Sequence, residues 1–139
     1  MNEEWIIRYF SMEPKDVEAL ADPQSSILNR GGRIFLALHD EQPIGCCALL
    51  AMGSDEFEVA KMAVTELWQR AGVGRRLLET VIAEARASGA TRLYLETNRT
   101  LTAAIGLYEL VGFRHIPRER WGPSPYARSN VRMEMYLVA

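Results

Sequence analysis

Gln69-Arg70-Ala71-Gly72-Val73-Gly74-Arg75-Arg76-Leu77-Leu78 decides how the chain is read, because two glycines run directly into a helical pattern. Apolar residues recur at Leu77, Leu78, Val81, Ile82 and Ala85, one face of a helix, and Gly89 is a natural stop for it. Such a junction exposes backbone N–H groups at the positive end of a helix dipole, with no Cβ to block close approach, which makes it an anion site. Arg70, Arg75 and Arg76 add cationic charge there, although positive charge at that end opposes the helix's own dipole. A bound phosphate explains what helix stability does not; a tight turn with solvated arginines is the plainer alternative. The dinucleotide fingerprint fails, since the position three after Gly74 is Leu77, and Gly74-Arg75-Arg76 lacks the Gly-Lys-Ser/Thr of a nucleoside triphosphate loop.

Upstream of this junction, Phe57 to Val64 reads as a strand interrupted by Glu58 and Lys61. Before it, Ile34 to Leu38 and Ile44 to Met52 read as a hairpin across the turn residues Asp40-Glu41-Gln42-Pro43. At the start, Trp5, Ile6, Tyr9 and Phe10 are spaced like one face of a helix that Pro14 ends. Downstream, Arg92 to Thr97 reads as a strand and Thr102 to Val111 as a helix closed by Gly112. Pro117 to Asn130 is loop, and Val131 to Val138 is an alternating strand. A strand, a helix and another strand in that order form a crossover between two parallel strands, here inside an otherwise antiparallel sheet. The expected class is α+β with one mixed sheet.

The chain has 139 residues, 48% hydrophobic and 24% charged, which suits a single domain over residues 1–139. Its formal charge of -2 gives no positive field to hold a polyanion along a track, so nucleic acid is not expected as a partner. No apolar run approaches the roughly 18 to 20 residues that cross a bilayer, and Met1-Asn2-Glu3-Glu4 lacks the basic region of a secretory signal. The expectation is a cytoplasmic protein without a membrane partner. Cys46 and Cys47 are neighbours on a strand and point to opposite faces, poor geometry for a bridge, so they read as small buried hydrophobes in a reducing compartment. His39 and His115 stand apart from other ligand types, so no metal is expected.

The segment Val64 to Gly74 matches a Gln/Arg-x-x-Gly-x-Gly/Ala signature, and Ala104-Ile105-Gly106-Leu107-Tyr108-Glu109-Leu110-Val111-Gly112-Phe113 matches an A-x-x-x-Y-x-x-x-G-F helix with its following strand. In both motifs the chain resembles the GNAT family of N-acetyltransferases, over about residues 32 to 138 and in the right order. The resemblance implies the acyl-CoA N-acyltransferase fold, a mostly antiparallel sheet whose one parallel strand pair splays apart to admit acetyl-CoA. It implies that Met62, Ala63 and Val64 present backbone groups to the pantetheine arm, and that Gln69, Arg70, Ala71, Gly72, Val73, Gly74 and Arg75 hold the pyrophosphate. Leu101 stands where many relatives carry Asn, and Asn98 is the candidate for part of that contact, or else a turn-forming residue. Relatives also open with a strand before the first helix, whereas Met1 leads directly into what reads as that helix, so the opening strand is expected to be absent.

Acetyl transfer from a thioester to an amine needs a neutral nitrogen, an accommodated oxyanion and a proton for the leaving thiolate. Tyr108, which the resemblance puts beside the sulfur, can donate that proton, since a phenol's ordinary pKa of about 10 lies above a thiol's of about 8.5. Glu58 is the first candidate for the base and Glu96 the second, and a backbone N–H at Met62 or Ala63 would meet the oxyanion. Trp5, Tyr9, Trp121 and Tyr126 offer aromatic walls for an acceptor pocket, with Arg128 as a carboxylate anchor. The expected activity is transfer from acetyl-CoA to a primary amine of a small molecule or peptide by direct attack in a ternary complex, because the cysteines lie on an earlier strand without a His partner. The alternative is a CoA-binding regulatory or structural module without turnover. Family analogy adds a homodimer.

Overall fold

The computed structural model describes residues 6–10, 32–53, 55–124, 126 and 129–137. In chain order the elements are β1 (Ile6–Phe10), β2 (Arg33–His39), β3 (Gln42–Gly53), β4 (Glu56–Val64), α1 (Val73–Ala87), β5 (Arg92–Thr97), α2 (Thr102–Val111), β6 (Arg114–His115) and β7 (Val131–Tyr136). Single 3₁₀ turns occupy Glu66–Trp68 and Arg118–Arg120. The strands form one sheet in the order β1-β2-β3-β4-β5-β7-β6. All neighbours in it are antiparallel except β4 and β5, the pair joined by the α1 crossover. This is the α+β architecture with one parallel pair that the motif order implies.

The start of the chain departs from its reading. Ile6–Phe10 is a strand, not a helix, and pairs antiparallel with β2 from Ile6 opposite Leu38 to Phe10 opposite Ile34. The expectation that the opening strand is absent falls with it. Spacing alone cannot separate a helical face from a short strand over so few residues, and an isolated helix of this length is unstable in water. The free edge of β2 supplies hydrogen-bond partners, and Ile7 packs against the core from its place in β1. Trp5 lies outside the described residues.

The β2–β3 hairpin turns at Asp40 and Glu41, both in the left-handed region (φ 50° and 65°), which matches the strands' right-handed twist. Gln42 and Pro43, expected in the turn, already belong to β3. One face of the sheet carries Phe35, Leu49, Val59, Leu93, Leu95 and Met133, which close on the buried stripe Val73, Leu77, Leu78, Val81, Ile82 and Ala85 of α1. Helix α2 packs on the same side through Tyr108, with Phe113 just beyond it. Gly89 (φ 88°) follows α1, and Gly112 (φ 117°) is the C-cap of α2, the left-handed stops expected of them. The alternate residues of β4, β5 and β7 face the other way, and they are mostly polar: Glu58, Tyr94, Glu96, Arg132 and Glu134.

Candidate active site

The site begins where the parallel pair parts. Backbone pairing of β4 with β5 is confined to Glu56–Glu58 against Arg92–Tyr94, although β4 continues to Val64 and β5 to Thr97. A bulge in β4 shapes what faces the gap. Ala48 pairs with Ala60 but Cys46 with Ala63, so β4 carries one extra residue there, and Lys61 takes it up with φ 55°. The extra residue inverts the alternation, so Met62 and Val64 pack against the helix-side core as Phe57 and Val59 do before it. The Thr65 N–H donates to the Ile44 carbonyl (2.8 Å), so the backbone of Thr65 and Ala63 turns toward β3. That alternation leaves the N–H groups of Met62 and Val64 on the edge facing the gap.

The glycine loop lies beside this edge. Gln69 Nε2 donates to the Val64 carbonyl at 3.1 Å and ties the loop to the strand end. Arg70 (φ 68°) and Gly72 (φ 89°) are both left-handed, and a Cβ added to Gly72 would meet nothing within 4 Å, so an open approach lies over it. The first helical bond runs from the Arg76 N–H to the Gly72 carbonyl (3.0 Å), which leaves the N–H groups of Val73, Gly74 and Arg75 pointing out of the helix end. Gly74 sits close to the core: a Cβ there would lie 3.1 Å from Met62 Cε and 3.2 Å from Leu107 Cδ2, two flexible side-chain ends. The Val73 side chain is fully buried, so only its backbone can meet a ligand. The Ala71 N–H donates to the Trp68 carbonyl (3.3 Å), and the Arg75 guanidinium pairs with Glu79 at 3.4 Å. At the end of β5, Asn98 Oδ1 accepts from the Thr100 N–H (3.0 Å) and hydroxyl (2.8 Å), the geometry of a turn former.

Tyr108 and Glu58 belong to opposite faces of the sheet. Tyr108, on the helix side, is only 8% exposed and meets the Phe113 ring edge-on at 6.0 Å between centroids. Burial, and secondarily the nearby Cys47, pushes its phenol up to about 12, so it stays a proton donor throughout the neutral range. Glu58 stands at the last parallel rung, opposite Tyr94, and lines a cavity of about 430 Å³ on the other face. Tyr94, Glu96, Trp121, Tyr126 and Arg132 share that lining. Trp121 and Tyr126, two of the four aromatic residues singled out in the sequence, thus line this cavity; Trp5, Arg128 and the side chain of Tyr9 lie outside the described residues.

The second candidate base is occupied with structure. Glu96 accepts from the Ser124 hydroxyl (2.6 Å) and the Tyr94 hydroxyl (2.9 Å). Burial would push its carboxyl up, but those bonds and the Arg132 charge outweigh it and hold it below the usual carboxylate range. A carboxylate held ionised in this way is a poor proton acceptor and a good clamp for the Ser124 loop. Arg132 and Tyr94 were not singled out by sequence reasoning, because alternation with Met133 and Leu93 marks such positions only as the sheet's polar side. Among the described residues no three His, Cys, Asp or Glu side chains are grouped to hold a metal ion.

A family model described as the acetyltransferase (GNAT) family matches residues 1–113. The chain belongs to this family. The bS18-alanine N-acetyltransferase of Haemophilus ducreyi is 32% identical over 119 residues, 82% of each chain. The Salmonella typhimurium protein of the same name is 37% identical over 86 residues, a match that spans 61% of this chain but only 58% of that relative. A Bacillus subtilis acetyltransferase solved in complex with CoA superposes with a TM-score of 0.75 at 21% identity, covering 97% of this chain and 100% of that one. The fold is thus that of the GNAT acetyltransferases.

Proposed function

We propose that this GNAT-family chain is an N-acetyltransferase that moves the acetyl group of acetyl-CoA to an amine of a small molecule or peptide, by direct attack in a ternary complex. The observation that carries this reading is the parting of β4 from β5 beside the exposed N-terminus of α1. The residues fit the cosubstrate: Gly72 leaves open space over the three outward N–H groups, which suit a pyrophosphate, and the Met62 and Val64 edge offers backbone partners for an amide-bearing arm. Relatives named as N-acetyltransferases and a neighbour solved with CoA support the same assignment.

In this reading Glu58 takes the proton from the attacking amine on the cavity side, directly or through one water. The Met62 N–H meets the developing oxyanion within the gap. Tyr108 gives its proton to the departing thiolate on the helix side, where burial keeps the phenol neutral. The sheet itself thus separates the acid from the base, and the gap between β4 and β5 joins their two sides. A single domain, a cytoplasmic location and a homodimer complete the reading; the unbridged Cys46 and Cys47 fit a reducing compartment.

Thiol release from acetyl-CoA with a panel of amines tests it. Release with at least one amine, together with acetylated product, is the expected result. A CoA-binding module without turnover would bind acetyl-CoA in calorimetry and release no thiol with any amine.

A further inference from the structure

Arg132 is a cation buried without a matching hydrogen-bonded anion. It is 9% exposed, and its guanidinium lies over the Trp121 indole at 4.5 Å. Among the described residues its nearest carboxylate oxygen is Glu96 Oε1, 3.8 Å from Nε, outside hydrogen-bond reach. Nε is buried and bonds to nothing. The other two guanidinium groups of the cavity differ. Arg92 is bound by Glu134 at 2.9 Å and by Glu56 at 3.1 Å, and Arg120 is forked onto Glu134 through both of its terminal nitrogens.

A buried guanidinium whose Nε–H has no acceptor is unfavourable unless an anion meets it. Its planar fork matches a carboxylate, and Trp121 covers its face while leaving the edge for hydrogen bonds. The same cavity holds the carboxylates of Glu58 and Glu96, which repel a doubly charged phosphate about twice as strongly as a monoanion. Tyr94 stands between the two signs: it is paired with Glu58 on β4, and it bonds to Glu96, the cross-strand partner of Arg132. The Tyr94 phenol is pushed up chiefly by burial and by Glu96, with Glu58 adding to the rise and Arg132 opposing it, so both charges reach it.

We infer that the acceptor is an amino acid or a similarly small zwitterion, its carboxylate held by Arg132 against Trp121 and its amine directed toward Glu58. This rests on the reading of the cavity as the acceptor side of the proposed acetyltransferase, and names the substrate class that reading leaves open. Met52 and Ile116, also in the lining, suit an apolar side chain.

The experiment compares leucine, methionine and phenylalanine with their carboxamides, with their decarboxylated amines, and with a C-terminally amidated peptide that has a free N-terminus. Thiol release gives kcat/KM for each, and calorimetry with coenzyme A present gives binding without requiring turnover. At least one free acid should exceed its amide and its amine by about 30-fold or more, the range of a charge-assisted hydrogen bond. In Arg132→Gln that ratio should fall to within about threefold of one, and Arg132→Lys should restore part of it, with melting curves reporting the fold of each variant. Equal or better use of the amide, the amine or the peptide by the parent protein overturns the inference, and so does the absence of binding by any acid. Carboxylate-dependent binding with no thiol release from any amine upholds the zwitterion site while removing the acetyltransferase reading.

Discussion

Tyr108 keeps its proton because ionising it would place a charge beside Phe113 and Cys47 in the helix-side core. Tyr108→Phe deletes the donor and keeps the ring, so kcat should fall by about 10² to 10⁴ while acetyl-CoA affinity and melting temperature hold, as steady-state kinetics and a melting curve would show. The same burial makes a prediction about pH. A phenol raised in the folded state stabilises that state fully below its ordinary value of about 10. The contribution is lost as pH rises through its folded value of about 12. Urea melts should therefore show the parent losing stability relative to Tyr108→Phe across that alkaline window, and parallel curves would contradict the burial argument. The motif carries this residue legibly. Arg132 is not legible in the same way, since an arginine alternating with methionines in a final strand has the pattern of a solvated face.

At the scale of elements, two local departures from regular geometry shape the candidate site beside the gap. The first is the left-handed Gly72 that starts α1, and the second is the bulge at Lys61 that re-aims the end of β4. Gly74→Asp places a carboxylate against the outward N–H groups of α1 and should weaken acetyl-CoA binding by about 2 kcal/mol or more in calorimetry. Its Cβ also crowds Met62 and Leu107, so Gly74→Ala serves as the control: the steric cost alone should be smaller, because both neighbours are flexible side-chain ends. Equal losses in the two variants would assign the effect to packing and remove the anion argument. Of these two departures, the glycine turn is written in the sequence by residue type. The bulge is not, because Lys61 and its neighbours have ordinary strand composition and the extra residue exists only relative to the register of β3.

Across the whole molecule, the polar face of the sheet is held by charges shared among β4, β5, β7 and the turn after β6. Glu134 joins Arg92 on β5 to Arg120, and Glu96 joins Tyr94 to Ser124. Glu134→Gln leaves Arg92 with Glu56 alone and should destabilise the fold by about 2 kcal/mol in urea melts, short of the roughly 3 to 5 expected when a fully buried pair is broken. Hydrogen bonds from Arg120 above all, then from Arg92, hold the Glu134 carboxyl below the usual range against the opposing effect of burial. A lowered carboxyl contributes stability above its ordinary value of about 4.3, and that contribution disappears as pH falls through the folded value. The parent should therefore lose more stability than Glu134→Gln on acidification, and equal losses would place the acid sensitivity elsewhere.

What the residues determined unaided was everything encoded by local chemistry and short spacing. The stripe from Leu77 to Ala85 specified α1, Gly89 and Gly112 specified its end and that of α2, and Gly72 with Gly74 specified the glycine turn that opens α1. Tyr108 and Glu58 stood out only through the family resemblance, which puts the tyrosine beside the sulfur and the glutamate on the strand that leads into the gap. Only the tertiary structure decided that Ile6–Phe10 is a strand, that β4 and β5 part after Glu58, that Glu96 is a clamp, and that Arg132 is buried over Trp121. Each of these depends on what another segment brings alongside: a free sheet edge, a register shift, two hydroxyls or an indole face. Periodicity along one chain records which side of an element is apolar; it does not record which partner arrives on the other side.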